Sequence, residues 1–157
     1  MLRQRLNESL KEAMKARDAR AVSTLRLILA ALKDRDICAR GRGNVDGIDE
    51  VEIQQMLQSM VKQRHDSIEM YERGGRCELA EQERGEITII QKFLPRQLDE
   101  SELTEVVEKA ISDVQPAGVK DMGKVMAFLK QNYPGQMDFG KASGMVRGHL
   151  TARLLFA

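Results

Sequence analysis

The chain has 157 residues, of which 42% are hydrophobic and 31% charged, and these values exclude a disordered or collagen-like protein. Aromatic residues make up only 4% and Trp is absent, so the core must consist mainly of Leu, Ile, Val, Met and Ala. The length is sufficient for one ordinary domain or for two small helical bundles.

Basic residues concentrate at both ends of the chain, although the net charge is only +1. Residues 1–48 contain 11 Lys or Arg against six Asp or Glu, and residues 119–157 contain six against two. The segments between them, 49–95 and 96–118, are both acidic. The distribution of charge is therefore more informative about partners than its sum.

Four helices are predicted before Pro95, because apolar residues recur there at helical spacing. Glycine-rich residues 39–48 form a loop between the second and third helices. Asp49 and Glu52 form a capping box at the start of the third helix, and Gly74 with Gly75 ends it. This pattern predicts an antiparallel four-helix bundle over residues 1–95. The main apolar positions of the four predicted helices are, in chain order, Leu2, Leu6, Leu10; Val22, Leu25, Ile28, Leu32; Ile53, Met56, Leu57, Met60; and Leu79, Ile87, Ile90, Phe93.

Three shorter helices are predicted after Pro95, which cannot continue a helix interior. The first starts at Asp99, the second covers residues 120–133, and the third starts near Asp138. The predicted fold class is therefore all-α. Its two domains are an N-terminal four-helix bundle, residues 1–95, and a C-terminal three-helix bundle, residues 96–157.

The cysteines and the N-terminus bear on cellular location. Cys38 and Cys77 are isolated from each other in the sequence, a pattern typical of a reducing compartment. The first residues have no apolar signal core, and the densest apolar run, 25–32, is too short to cross a bilayer. These observations predict a cytoplasmic protein without a membrane segment.

Six cations of the basic C-terminal segment are candidates for phosphate contact. Cations on the polar side of a helix can neutralise phosphates without reading bases. An ordinary solvated helix surface has the same composition, and charge alone does not separate the two interpretations. The candidate residues are Lys120, Lys124, Lys130, Lys141, Arg147 and Arg153.

Gly140, Gly144 and Gly148 recur every four residues along one side of the last predicted helix. Each costs on the order of 1 kcal/mol of helix stability relative to Ala. A bare backbone permits close approach of another helix or of a ribose-phosphate strand. Of these two explanations, close helix packing is the one that the sequence favours.

Arg64 falls inside the apolar stripe of the third helix, and Glu83 and Glu86 fall inside that of the fourth. Buried charges normally need partners, so a structural salt bridge between the helices is predicted. General acid–base catalysis is the alternative, but no constellation of acid, base and nucleophile accompanies these residues. His65 and His149 have no neighbours at ligand spacing, so we expect no metal and no cofactor.

Five motifs follow one another along nearly the whole chain, at residues 25–33, 62–71, Gly74-Gly75-Arg76, Phe93-Leu94-Pro95 and 121–126. In this order they resemble the YqeY family. In that family they accompany a four-helix bundle followed by a three-helix bundle and an association with tRNA. The last motif and the helix after it also resemble the GatB/YqeY-type tail module of the aspartyl/glutamyl-tRNA amidotransferase B subunit, which contacts tRNA.

The resemblance implies a non-catalytic, tRNA-associated protein of translation, because 157 residues leave no room for the catalytic body of the amidotransferase. An alternative is that the chain is an accessory to a carbon–nitrogen ligase that uses glutamine as amido donor. A protein–protein adaptor, whose basic N-terminal half seats an acidic partner, is a further alternative.

Overall fold

The structure, a computed structural model, describes residues 1–156, so Ala157, the last residue of the predicted second domain, lies outside the described residues. Within that range the chain is all-α, as predicted, with seven α-helices and one 3₁₀ turn, Val119–Asp121. No helix of this range is both long and apolar enough to cross a bilayer. The helices are α1 Leu2–Lys15, α2 Ala19–Gly41, α3 Glu50–Arg73, α4 Cys77–Gln91, α5 Glu100–Val114, α6 Met122–Asn132 and α7 Phe139–Phe156.

The chain divides into two compact units, and the first extends from Met1 to Pro95. In this unit α3 packs along α4, α1 packs along α2, and α2 also contacts α4 and α3. The main core consists of apolar side chains from all four helices. A smaller cluster of apolar side chains lies between α3 and α4. The largest fully buried side chains of this unit are Leu6, Ile28, Ile53, Met56, Leu57 and Ile90.

The start and the end of α3 follow from its capping residues. The predicted capping box at α3 is confirmed, because Asp49 accepts from the Glu52 amide at 2.8 Å and its own amide donates to Glu52. The predicted end of α3 is also confirmed, with Gly75 at a φ of +71°. Helix α2 continues to Gly41, three residues into the predicted loop.

The second unit begins at Arg96 and contains α5, α6 and α7, each in contact with the other two. A capping box of Asp99 and Glu102 starts α5. The 3₁₀ turn precedes α6, so the predicted helix over 120–133 is shorter at both ends. The core of this unit includes Leu103, Val107, Ala110, Ile111, Val125, Leu129, Ala142, Val146 and Leu150.

Candidate nucleic-acid interface

Helix α7 has a buried side and an exposed side that differ in composition. Ala142, Val146 and Leu150 recur every four residues and are buried against α5 and α6. Opposite them lie Gly140, Gly144 and Gly148, all exposed, which we call the glycine face. The 3.6-residue helical period separates the two sets, because residues four apart share one side of a helix.

Among the described residues of the second unit, no helix packs on the glycine face. A Cβ built on Gly144 or Gly148 would meet no described heavy atom within 4 Å, and one on Gly140 would meet only the Asp138 carboxylate at 3.2 Å. The prediction of close helix packing at these glycines is therefore wrong for the described residues. The apolar contacts of α7 use its other side, so the glycines leave a strip of bare backbone open to solvent.

Lys141 and Arg147 flank the glycine face, because they lie about 60° to either side of Gly144 on a helical wheel. Both side chains are exposed. The Lys141 ammonium lies 2.6 Å from a carboxylate oxygen of Glu100, at the start of α5. The hydrogen bond from Lys141 lowers the pKa of the Glu100 carboxyl. Arg147 has no carboxylate partner among the described residues.

Lys120, Lys124 and Lys130 are exposed in the 3₁₀ turn and on α6. Lys124 lies 3.2 Å from Asp121. The pKa of Asp121 is lowered first by the hydrogen bond from the Ala117 amide and then by that from Lys124. The Lys130 ammonium lies 6.0 Å from the centre of the Phe139 ring, so it stands beside the first residue of α7.

Arg153 projects from the last turns of α7 on the side that carries the apolar residues, and it is nevertheless exposed. It borders a shallow cavity with His149 of the same helix and with Glu108 and Ile111 of α5. The structure thus places all six sequence-predicted cations on the surface of the second unit. Two of them, Lys141 and Arg147, lie beside the glycine face, and Lys130 lies near its beginning.

Arg64, Glu83 and Glu86 come together in the first unit, between α3 and α4. The Arg64 Nε lies 3.0 Å from Glu86 and 4.0 Å from Glu83, and Arg64 also donates to the Met60 carbonyl at 3.1 Å. The side chains of Arg64 and Glu86 are 11% and 12% exposed. Burial, and then the negative charge of Glu86, raise the pKa of the Glu83 carboxyl.

The structure contains a second ion pair, between Arg3 and Asp36, which the sequence did not predict. The Arg3 guanidinium donates to both Asp36 oxygens, at 2.5 and 2.7 Å, and to the Ile48 carbonyl at 2.7 Å. One signal for it exists in the sequence. Asp36 lies four residues after Leu32 and three before Ala39, and so on the buried side of α2.

No group of three or more His, Cys, Asp or Glu side chains that could hold a metal ion occurs within residues 1–156. Cys38 and Cys77 are both exposed and unpaired thiols.

Comparison with known proteins finds similarity to fungal mitochondrial proteins. "Altered inheritance of mitochondria protein 41, mitochondrial" of Lachancea thermotolerans is 35% identical over 89 residues, which cover 57% of this chain and 46% of that protein. The protein of the same name in Candida glabrata is 35% identical over 89 residues, covering 57% and 47%. In Saccharomyces cerevisiae strain YJM789 the identity is 33% over 98 residues, covering 62% and 51%. The chain spans about half the length of the curated relatives it matches.

These relatives correct the predicted location. Their names assign them to mitochondria, so the prediction of a cytoplasmic protein is wrong. One basis for that prediction was the lack of an apolar signal core. Mitochondrial targeting segments are amphipathic and rich in Arg rather than apolar, so this criterion does not distinguish cytoplasm from a mitochondrial compartment.

The family relationship covers both units. The family model described as "Yqey-like protein" matches residues 3–150, from the first turn of α1 to Leu150 of α7. The match includes the glycine face and five of the six candidate cations, all except Arg153. Because this match covers nearly the whole sequence, the chain belongs to the YqeY family.

Proposed function

We propose that the chain is a non-catalytic, RNA-associated protein whose second unit holds tRNA by its sugar-phosphate backbone. The observation that carries the proposal is the open glycine face of α7 between Lys141 and Arg147. Three glycines are unfavourable within one helix, and no packing contact of the described residues explains them. Close approach of a ligand to the helix backbone does explain them.

The proposed contact has two components. A ribose-phosphate strand approaches the bare backbone of α7 where a side chain would keep it several ångströms away. The flanking cations Lys141 and Arg147 then neutralise phosphates on either side. Contacts of this kind position a nucleic acid and contribute affinity without reading base edges, so we expect recognition of shape rather than of sequence.

Lys120, Lys124 and Lys130 of the 3₁₀ turn and α6, with Arg153 at the end of α7, extend the cationic surface of the same unit. The ion pairs Lys124–Asp121 and Lys141–Glu100 do not prevent this role. Both pairs are largely exposed at the lysine, and exposed pairs contribute only ~0–1 kcal/mol. A phosphate can therefore replace the carboxylate at little cost.

The proposal includes a finer architecture, in which α1–α4 form a four-helix bundle and α5–α7 form a three-helix bundle. The second unit would then be the GatB/YqeY-type tail module over residues 96–157, related to the tRNA-binding tail of the amidotransferase B subunit. Support comes from the mutual contacts of α5, α6 and α7 and from the motif at residues 121–126.

A titration with bulk tRNA at two salt concentrations tests this function. A phosphate-driven interaction should weaken steeply with salt, with a log–log slope of about −0.7 to −0.9 per contacted phosphate. Arg147→Glu should lower the affinity and reduce the magnitude of the slope by about one. Lys109→Glu, an equal change of charge at an exposed residue of α5, is the matched control and should have a much smaller effect.

Equal losses in the two variants, or binding that is insensitive to salt, would show that α7 is not the contact surface. Turnover of glutamine by the purified chain, with ATP and aminoacyl-tRNA supplied, would contradict the non-catalytic assignment. Activity that arises only when an amidotransferase is added would instead support an accessory role next to that enzyme.

A further inference from the structure

The shallow cavity between α5 and α7 of the second unit has a volume of about 300 Å³, at the lower end of the range for small-molecule sites. Glu108 and Ile111 line it from α5, and His149, Ala152 and Arg153 line it from α7. Spacings of three and four residues place each set on one side of its helix. A space of this size accepts one planar heterocycle.

The three polar side chains of this cavity have unused hydrogen-bonding capacity. Within residues 1–156, Glu108, His149 and Arg153 form neither a hydrogen bond nor an ion pair with their side chains. Beside them the buried Ile111 and Ala152 supply an apolar wall. Polar groups that converge beside an apolar wall are typical of a ligand site.

The cavity lies next to the glycine face of α7. Ala152 follows Lys141 by 11 residues, which corresponds to about three helical turns or about 17 Å along the axis, and so lies on the same side of α7. Lys141 borders the glycine face on that side. A strand that follows the glycine face from Lys141 toward the end of α7 therefore passes the cavity.

The groups of the cavity match a nucleotide whose base is unstacked. An imidazole provides a flat ring for base stacking, and a guanidinium pairs with a phosphate. The Glu108 carboxylate only accepts hydrogen bonds, and its two oxygens accept two in parallel. Guanine alone among the four RNA bases presents two adjacent donors, N1–H and the 2-amino group, on its Watson–Crick edge. Adenine and cytosine present one donor beside an acceptor, and uracil presents one donor between two acceptors.

We propose that this cavity binds an unpaired guanosine of the RNA. Glu108 accepts from guanine N1–H and the 2-amino group, His149 stacks on the base, and Arg153 pairs with a phosphate of the same nucleotide. The guanosine site rests on the proposed function, because the backbone contacts along α7 bring the nucleotide to the cavity. Those contacts read no bases, so the cavity adds one position at which a base is selected.

The probes for the test are uridine nonamers that carry one central guanosine, inosine, adenosine or cytidine. Fluorescence anisotropy with the full chain measures their dissociation constants at one low salt concentration. The guanosine nonamer should bind at least about fivefold more tightly than the adenosine and cytidine nonamers, because a bidentate pair discriminates between bases by this much. The inosine nonamer lacks only the 2-amino group and should bind about threefold more weakly than the guanosine nonamer.

Glu108→Gln should reduce the preference for guanosine to less than about twofold, because an amide presents one acceptor and one donor instead of two acceptors. Glu105→Gln is the matched control, since Glu105 is an exposed carboxylate about one turn earlier on α5 and does not line the cavity. This variant should keep the wild-type preference. Both changes remove one negative charge, so a general gain in RNA affinity is common to them and cancels in the preference.

Equal binding of the nonamers, a preference for another base, or a preference that survives Glu108→Gln would each overturn the guanosine site. Failure of every nonamer to bind would overturn it as well. A bulk tRNA titration on the same preparations distinguishes these results from failure of the proposed function. Salt-dependent tRNA binding retains the backbone contact even when the guanosine site is rejected, whereas a chain that binds neither tRNA nor the nonamers contradicts both proposals.

Discussion

The Arg3 guanidinium and the Asp36 carboxylate form two parallel hydrogen bonds, of 2.5 and 2.7 Å, which join α1 to α2. The same two side chains hold the loop before α3, since Arg3 donates to the Ile48 carbonyl and Asp36 accepts from the Ile48 amide at 2.9 Å. The backbone of Gly47 lies directly against the side chains of this ion pair. A long glycine-rich loop is thereby fixed at its C-terminal end by one buried carboxylate.

Gly47→Ala should destabilise the first unit by about 2 kcal/mol. Gly47 has a φ of +83°, and a Cβ there would lie only 2.3 Å from the Asp36 Oδ1. Gly43→Ala is the matched control, because Gly43 has a φ of +94° but open space around its Cβ position. Chemical denaturation of both variants separates the two causes. Equal destabilisation would mean that backbone strain alone accounts for the effect.

The Asp36 pair should make stability depend on pH in the acid range. The hydrogen bonds from Arg3, as the largest cause, lower the pKa of the Asp36 carboxyl from its usual 3.8. The resulting stabilisation is complete above the usual pKa and is lost as pH falls through the lowered one. We expect the difference in unfolding free energy between the wild type and Asp36→Asn to shrink steadily below about pH 4. A difference that stays constant from pH 7 to pH 2.5 would contradict this origin.

Arg64→Ala should cost about 3 kcal/mol of stability, because it leaves the Glu86 carboxylate without its partner between α3 and α4. Thermal or chemical unfolding measures the loss. Arg84→Ala is the comparison, since Arg84 pairs with Glu72 and Glu81 at the surface, where such pairs contribute less than ~1 kcal/mol. If the two variants unfold alike, the Arg64 cluster is not a buried clamp.

Glu83 should behave in the opposite way to Asp36 as pH rises. Burial and the neighbouring Glu86 raise the pKa of the Glu83 carboxyl above its usual 4.5. Stability contributed by the protonated form is therefore lost as pH rises from the usual pKa through the raised one. We expect Glu83→Gln to be as stable as the wild type or more so at pH 7, with the advantage vanishing near pH 4. A large loss of stability at pH 7 would show that Glu83 is needed as an anion.

The sequence predicts the helices because buried apolar residues recur in them at helical spacing, and because capping boxes mark the starts of α3 and α5. The Asp49–Glu52 capping box and the Gly75 turn are local features, and both occur where their residue types require them. Helix α2 exceeds its predicted end because Ala39 still packs into the core, so tertiary contact outweighs the glycines that follow it.

The candidate site is harder to predict, because its features depend on which sides of the helices face each other. Glycines at four-residue spacing can serve a helix contact or an exposed surface, and only the burial of Ala142, Val146 and Leu150 decides between them. Arg3 and Asp36 are 33 residues apart, and no local pattern links them. The predicted cytoplasmic location is wrong because the lack of an apolar signal core does not distinguish the cytoplasm from a mitochondrial compartment.

Gly144→Ala should separate stability from RNA binding. An added methyl group on the exposed side of α7 raises helix stability by up to ~1 kcal/mol, because Ala is the better helix former and nothing in the described structure obstructs its Cβ. The same methyl group should weaken tRNA binding about tenfold, since it holds the strand away from the backbone. Gly41→Ala, at the end of α2, also has open space around its Cβ and should leave tRNA binding unchanged. Denaturation curves and tRNA titrations on the same preparations measure both effects. A Gly144→Ala chain that is more stable and binds tRNA as tightly as the wild type would remove the glycine face from the interface.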